Sequence, residues 1–260
     1  MTPHASGPSR SAPPAEARTV LGRFLELSLP ASDVAEALEF YESLGFAQAV
    51  VGEAWRHPYA VVTDGRLYLG LHGTELETPL LTFVTPDLRT RLEELATLGV
   101  DVEHARLDEL SLNEARFRDP SGLHVRLVEA RTFSPPALEP AFESALGYFE
   151  QYVVGASDLP RSGQFWERLG FVAFADDAEG ATLPKRLVAS HRDINLAFLD
   201  LDLATPMLCF SAPDMAQRVA GLRERGFGFA GRVPRDFHER GAVALLAPDG
   251  QQILLLEPEA

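Results

Sequence analysis

Three aromatic side chains that can hold a planar ligand stand at alternate positions in the stretch AWRHPYAV. They are Trp55, His57 and Tyr59. Alternate residues of a strand share one face, and aromatic rings stack on flat organic molecules. The other interpretation is a half-exposed strand face without a ligand, and Pro58 indicates an edge or a bulge there. The spacing therefore nominates these three residues as ligand-binding candidates.

The sequence lacks the characteristic motifs of several other activities. The chain contains no glycine-rich phosphate loop and no Gly-x-Ser-x-Gly nucleophile motif. Its single cysteine, Cys209, lies in the apolar run PMLCF, which indicates a buried thiol rather than a nucleophile. The densest basic stretch holds Arg232, Arg235 and Arg240, which either receive an anionic group or form a solvated loop.

Charge and composition exclude some partners. The 260 residues carry a net charge of −15, from 23 basic and 38 acidic side chains. This balance argues against nucleic acid and anionic lipid, which both require a concentrated basic surface. No run approaches the roughly 18 apolar residues of a membrane span, so no membrane partner is expected. One cysteine and no apolar secretion signal at the start predict a cytoplasmic protein.

One sequence motif occurs twice in the chain. EFYESLGF (Glu39–Phe46) returns as QFWERLGF (Gln164–Phe171), and two later stretches, around TPLLTF and DPSG, return in the same order. Self-similarity on this scale indicates a domain of about 125 residues that has been duplicated. The predicted organisation is a disordered tail at 1–20, a first domain at 21–130, a linker at 131–145 and a second domain at 146–260.

Within each copy, the same order of predicted strands and helices also repeats. A strand, FLELSLP, is followed by Asp33 as a helix cap, and Gly45 ends that helix. Further strands follow, and after Pro79 the cycle restarts with LLTFVT and a helix capped by Asp87. The pattern predicts strand–helix–strand–strand–strand twice per copy, and so four such units in the chain.

These motifs resemble those of the vicinal oxygen chelate superfamily, which includes glyoxalase I, bleomycin-resistance proteins and extradiol dioxygenases. The resemblance rests on the two LGF phrases, the two TP strands and the DPSG and PDG turns, and it covers about residues 23–257. It implies an α+β fold of two tandem glyoxalase-like domains, each built of two βαβββ units whose curled sheets enclose a cleft. In the enzymes of this family, His, Glu or Gln side chains from the first and last strand of each unit hold a divalent metal in that cleft.

The resemblance places the four metal positions of the first domain at Glu26, near Gly70, at Leu80 or Leu81, and at Arg126. Only Glu26 is a usual ligand, and a guanidinium opposes cation binding. The expectation is therefore a Glu26–Arg126 ion pair where the metal would lie.

In the second domain the same positions fall on residues that are mostly apolar. They are Gln151, Ala197, Met207 or Leu208, and Leu254, with Glu150 replacing Gln151 if the register slips. This second cleft is expected to be apolar or filled by its own side chains.

An alternative metal site remains open. His72 lies two residues beyond Gly70 and His124 two residues before Arg126, so alternation keeps both on the faces of the nominal ligand positions. Together with Glu26 they form two imidazoles and one carboxylate, a credible ligand set for a divalent ion. The other interpretation is a polar rim.

Two functions follow as expectations. The first is a protein, monomeric or homodimeric, that binds a small organic molecule in the first cleft without a metal cofactor, through Glu26, Arg126, His72, His124, Trp55, His57 and Tyr59. The second is a metal-dependent lyase, isomerase or dioxygenase with one divalent ion on Glu26, His72 and His124. A lesser variant of the second is a metal-free proton-transfer enzyme with Glu26 or a histidine as base.

Overall fold

A computed structural model describes residues 19–50, 55–74, 76, 78–108, 112–130, 144–176, 186–203 and 205–258. Most of the predicted tail and most of the predicted linker lie outside these residues, so the domain limits stay predictions. None of the helices within the described ranges is long and apolar enough to cross a membrane.

The first half of the chain forms one eight-stranded mixed sheet. Its order is β2-β3-β4-β1-β5-β8-β7-β6, with β1 and β5 antiparallel at the centre. The elements are β1 (Arg23–Pro30), α1 (Val34–Ser43), β2 (Ala47–Ala49), β3 (Tyr59–Thr63), β4 (Tyr68–His72), β5 (Leu80–Thr85), α2 (Leu88–Thr97), β6 (Val102–Arg106), β7 (Glu114–Arg118) and β8 (His124–Glu129).

The second half repeats this arrangement in a seven-stranded sheet of order β10-β11-β12-β9-β13-β15-β14. Its elements are β9 (Tyr148–Gly155), α3 (Leu159–Arg168), β10 (Val172–Asp176), β11 (Arg186–His191), β12 (Ile194–Leu199), β13 (Met207–Ser211), α4 (Met215–Glu224), a 3₁₀ helix (Arg235–Arg240), β14 (Val243–Leu246) and β15 (Gln252–Leu256). The prediction of four complete units is wrong for the last one. Where the outermost strand is expected, the described chain forms the 3₁₀ helix instead.

The predicted α+β class is confirmed, with two mixed sheets that stay open and four α-helices. The helix ends also agree with the sequence pattern. The Asp33 carboxylate accepts hydrogen bonds from the first-turn amides of Ala35 and Glu36. Gly45 has a φ of 92° after the helix ends, a conformation that favours glycine.

One face of each sheet packs against the helices and joins a common apolar core. The core includes Leu27 and Phe83 of the first sheet and Tyr152 and Phe210 of the second. The two halves also contact each other through a buried hydrogen bond. The indole N–H of Trp166 on α3 donates to the carboxylate of Asp119 in the first half at 2.8 Å. We call the opposite face of each sheet, which turns away from the helices, its cleft face.

A bulge in β1 decides which residues reach the cleft face. Phe24 pairs with Phe83, but Glu26 pairs with Thr82, so one extra residue lies between them. Such a bulge re-aims the following side chain. Phe24 therefore packs towards the core while Glu26, two positions later, points to the cleft face.

Candidate functional site

A buried carboxylate lies at the centre of the first cleft face. Glu26 is 1% exposed. Its Oε1 accepts a hydrogen bond from the Ser28 hydroxyl at 2.6 Å and from His72 Nε2 at 2.7 Å, and its Oε2 accepts from the Tyr59 hydroxyl. Nη2 of Arg126, also 1% exposed, is 3.8 Å from Oε1. The ion pair expected from the sequence therefore forms.

Two hydroxyl groups connect Arg126 to this carboxylate. Nε of Arg126 donates to Thr82 Oγ1 at 3.2 Å, and its Nη2 donates to Ser28 Oγ at 2.9 Å. Ser28 and Thr82 are 2.7 Å apart. Because Ser28 uses its only proton on Glu26, Thr82 must donate to Ser28. The hydroxyl protons of Ser28 and Thr82 and the Nε–H of Arg126 then each have an acceptor, and these bonds orient the Arg126 side chain.

An aromatic wall covers the polar network. His57 Nε2 and His72 Nδ1 are 2.9 Å apart, and the Tyr59 and His72 ring centres are 4.7 Å apart. The Trp55 ring lies over the Arg126 guanidinium, with Cζ 4.3 Å from the ring centroid. His72 is fully buried, whereas Trp55, His57 and Tyr59 keep partial exposure. The three residues nominated by their alternate spacing thus form the outer layer of the same cluster.

The charge states follow from burial and from these partners. Burial raises the pKa of Glu26, but hydrogen bonds from His72, Ser28 and Tyr59 and the charge of His72 outweigh it, so the net pKa is lowered. Burial lowers the pKa of Arg126 to about 10, against the opposing effect of Glu26. Burial raises the pKa of Tyr59, and Glu26 raises it further. The cluster therefore holds a carboxylate, a guanidinium and a neutral phenol at neutral pH.

Two of the nominal metal positions on the neighbouring strands have no metal-ligating side chain. A Cβ on Gly70 would overlap the Glu26 carboxylate, so the missing side chain is what makes room for that carboxylate. Of Leu80 and Leu81, only Leu80 shares the cleft face, since Leu81 belongs to the core. The residue paired with both Glu26 and Arg126 is Thr82.

The shifted metal set does not assemble. His72 contacts Glu26, but His124 lies in the neighbouring row of the sheet, paired with Leu80 and Arg118, whereas the row of Glu26 continues through Thr82 to Arg126. Within the described ranges, no three His, Cys, Asp or Glu side chains are grouped to hold a metal ion. The acceptors of Glu26 are occupied by protein donors and a guanidinium lies beside it. These residues do not fit a divalent metal.

The middle of the cleft face of the second half is filled by apolar side chains, which agrees with the expectation of an apolar or self-filled cleft. Its buried cluster includes Val153, Met207, Cys209 and Leu254, and Phe237 from the 3₁₀ helix packs into it. Cys209 is a buried free thiol whose pKa is raised chiefly by burial. Of the alternatives Met207 and Leu208, Met207 shares the cleft face.

Four polar residues beside this apolar cluster form two pairs. Nη2 of Arg186 donates to Gln151 Oε1 at 2.7 Å, and Arg240 pairs with the bulge residue Glu150 at 3.0 Å. Arg240, from the basic stretch noted in the sequence, is thus engaged by a carboxylate.

Sequence reasoning missed Ser28, Thr82 and Arg116. Ser28 and Thr82 each lie two positions beyond a residue that was considered, so the period of two that retained His72 would also have found them. Arg116 is the direct neighbour of Arg126 on β7. The sequence could have shown this, because alternate residues in both EARFR and HVRLVE are basic and so share one face of the sheet.

No protein-family model matches this chain, and no curated protein matches it by sequence. Solved structures do match. They include a catechol 2,3-dioxygenase, with 14% identity and a TM-score of 0.58, over 94% of this chain and 89% of that one. A homoprotocatechuate 2,3-dioxygenase mutant from Brevibacterium fuscum has 20% identity and a TM-score of 0.59, over 95% and 74%. The enzyme of that name from Arthrobacter globiformis has 17% identity and a TM-score of 0.58, over 95% and 83%. The chain thus has the two-domain fold of these extradiol dioxygenases.

Proposed function

We propose that this protein binds a small organic molecule at the first cleft face without a metal ion, in the manner of a bleomycin-resistance-like member of its fold. The observation that carries the proposal is the Glu26–Arg126 pair, locked by Ser28, Thr82 and Tyr59 where a metal would lie. Buried ion pairs contribute little net stability. A role in organising a binding surface therefore explains this pair better than a role in stability.

The outer layer of the cluster supplies the contact surface. Trp55 and His57 lie with ring centres 5.6 Å apart and are tilted by only 31°, so they present a nearly continuous aromatic surface. Both remain partly exposed above the buried charges. This combination suits a planar ligand with one polar group. His124 stands outside this layer, and we keep it only as a polar rim residue of the proposed site.

The experiment is a thermal-shift screen of flat aromatic compounds against untagged protein, repeated with a chelator. Hits are then followed by tryptophan emission, since Trp166 is fully buried and Trp55 is the partly exposed tryptophan. The proposal expects hits that raise the melting temperature with and without chelator and that quench emission in the wild type but not in Trp55→Phe. Hits that require added metal would contradict it.

A second candidate, a metal-free proton-transfer enzyme, is favoured by one observation, the hydrogen-bonded chain Glu26–His72–His57. When both imidazoles are neutral, Glu26 accepts from His72 Nε2 and His72 Nδ1 accepts from His57, which leaves His57 Nδ1 as a base. Burial lowers the pKa of His57, which keeps that ring neutral. Chelator-resistant turnover of a screened compound, abolished by His57→Gln, would favour this candidate over simple binding.

We also propose the cytoplasm as the compartment, because the only cysteine is a buried free thiol. The partner we propose is a small molecule rather than nucleic acid or a membrane, and the working unit is a monomer or a homodimer.

A further inference from the structure

Basic side chains line the half of the first cleft face formed by β6, β7 and β8. The strand registers put His104, Arg116 and Arg126 side by side in one row across these strands. Arg106 and Arg118 occupy neighbouring rows of the same face. The chain as a whole carries a net charge of −15. The local charge of this strip is therefore opposite in sign to the net charge of the protein.

Two guanidinium groups of this strip share one carboxylate. Glu114 is shared, since its Oε1 is 3.3 Å from Arg106 Nη2 and its Oε2 is 3.4 Å from Arg116 Nη2. Arg118 pairs separately with Glu103 at 3.2 Å. Arg106 and Arg116 therefore share the single carboxylate of Glu114, which lies in the row next to that of Arg126. Because Glu26 pairs with Arg126, the excess of positive charge lies at Arg106 and Arg116, next to the Arg126 row.

Arg116 also holds an unmet hydrogen-bond donor. Its Nε is buried and has no acceptor in the described part of the chain. A buried donor without an acceptor is costly. The side chain as a whole is 41% exposed, so a ligand can approach its guanidinium group from solvent. The nearby charge of Arg116 also contributes, after burial, to the lowered pKa of Arg126.

We propose that Arg116 and Arg126 form an oxyanion-binding site, which receives the carboxylate or phosphate of a planar organic acid whose ring lies against Trp55. Guanidinium groups offer paired donors that match the oxygens of such anions. Trp55 already lies against the Arg126 guanidinium, so the aromatic wall and the proposed anion site adjoin. This inference rests on the proposed ligand-binding function and adds the charge of the ligand to it.

The test uses three probes of one shape: benzoate, phenyl phosphate and the neutral benzamide. Each is titrated into the wild-type protein while the Nε–H signals of its arginines are followed by ¹H–¹⁵N NMR. Calorimetry then compares the wild type with Arg116→Gln and with Arg89→Gln, a control that removes an equal charge from an exposed position on α2. The wild-type NMR titration needs no variant and so does not depend on the folding of Arg116→Gln.

We expect benzoate or phenyl phosphate, but not benzamide, to shift the Nε–H signal of Arg116. The affinity should fall about tenfold in Arg116→Gln, the loss of one charge-assisted hydrogen bond, and stay unchanged in Arg89→Gln. Whichever anion binds more tightly identifies the preferred oxyanion. If all three probes quench Trp55 equally and Arg116 does not respond, the oxyanion site is refuted while the binding function stands. If no probe binds, both proposals lose their support.

Discussion

The Glu26 carboxylate fills the space in which a side chain on Gly70 would lie. The corresponding residues of the second half are Gln151 and Ala197, and there the cleft face accommodates a Cβ. The same comparison holds for the other members of the network, because Ser28, Thr82 and Arg126 correspond to Val153, Cys209 and Leu254. One copy of the duplicated domain thus carries a linked polar set, and the other has apolar side chains or a buried thiol at three of these places, with Gln151 at the fourth.

The substitution Gly70→Ala tests this relationship. The new Cβ must displace a buried, hydrogen-bonded carboxylate, so we expect the free energy of unfolding to fall by about 3 kcal/mol. Chemical denaturation measures the loss. Gly221→Ala is the matched control, because Gly221 lies within α4 with open space where a Cβ would be added. That change should be neutral or stabilise by up to about 1 kcal/mol. Equal effects of the two substitutions would contradict the close approach of Glu26 to Gly70.

Arg126→Leu removes the cation of the buried pair. Because Glu26 is left without its guanidinium, we expect a loss of about 2–4 kcal/mol of stability, together with loss of ligand binding. A double-mutant cycle with Glu26→Gln isolates the coupling, and the double variant should recover part of the loss. If Arg126→Leu left both stability and ligand binding unchanged, the pair would have no organising role.

The loss of folding stability at acidic pH should report the protonation of Glu26. Because the folded-state pKa of Glu26 is lowered below its ordinary value of 4.5, its contribution to stability is complete above that pH and is lost as the pH falls through the folded-state pKa. The wild type should therefore lose up to about 1.4 kcal/mol per pH unit more than Glu26→Gln does below pH 4.5. Denaturant unfolding at several pH values measures both slopes. Parallel curves for the two proteins would show that the carboxylate titrates normally.

The electrostatics of the outer layer can be followed at His57. Burial lowers the pKa of this ring, and His72 and Arg126 lower it further by repulsion. We expect the pKa of His57, measured by NMR titration of its ring signals, to rise in Arg126→Leu. Arg89→Gln should leave it unchanged, because Arg89 lies on the exposed surface of α2. An unchanged pKa in both variants would mean that Arg126 does not act on His57.

The second cleft face should respond to packing alone. Phe237 is buried in its apolar cluster, so Phe237→Ala should cost about 3–4 kcal/mol through the cavity it leaves. Binding at the first cleft should persist in the folded fraction. Phe174→Ala, at a position 52% exposed, should change stability little. A loss of ligand binding in the folded Phe237→Ala protein would show that the second half contributes to the site.

Much of the architecture follows from sequence pattern. The repeated LGF phrase predicts the duplicated fold, and Asp33 and Gly45 predict the ends of α1. Period-two alternation also brings His72 to Glu26. Trp55 and His57 do gather around Tyr59, but they precede β3 and do not lie on a strand, so the predicted strand alternation is wrong for these two residues.

Other features depend on contacts that no local pattern encodes. The bulge between Phe24 and Glu26 sets the register that makes Thr82, rather than a leucine, the partner of Glu26. The stacking of Trp55 on Arg126 joins residues far apart in sequence. The 3₁₀ helix that replaces a strand is stabilised by burying Phe237 and pairing Arg240, both of which are tertiary effects.

The most direct test of the central claim, a binding cleft organised by an ion pair instead of a metal, is elemental mass spectrometry of untagged protein. The protein is purified without chelators and then incubated with manganese, iron, nickel or zinc and desalted. The account predicts well under one ion per chain, with the same ligand response before and after chelation. About one ion per chain, lost in Glu26→Gln and in His72→Gln but retained in Arg89→Gln, would contradict it.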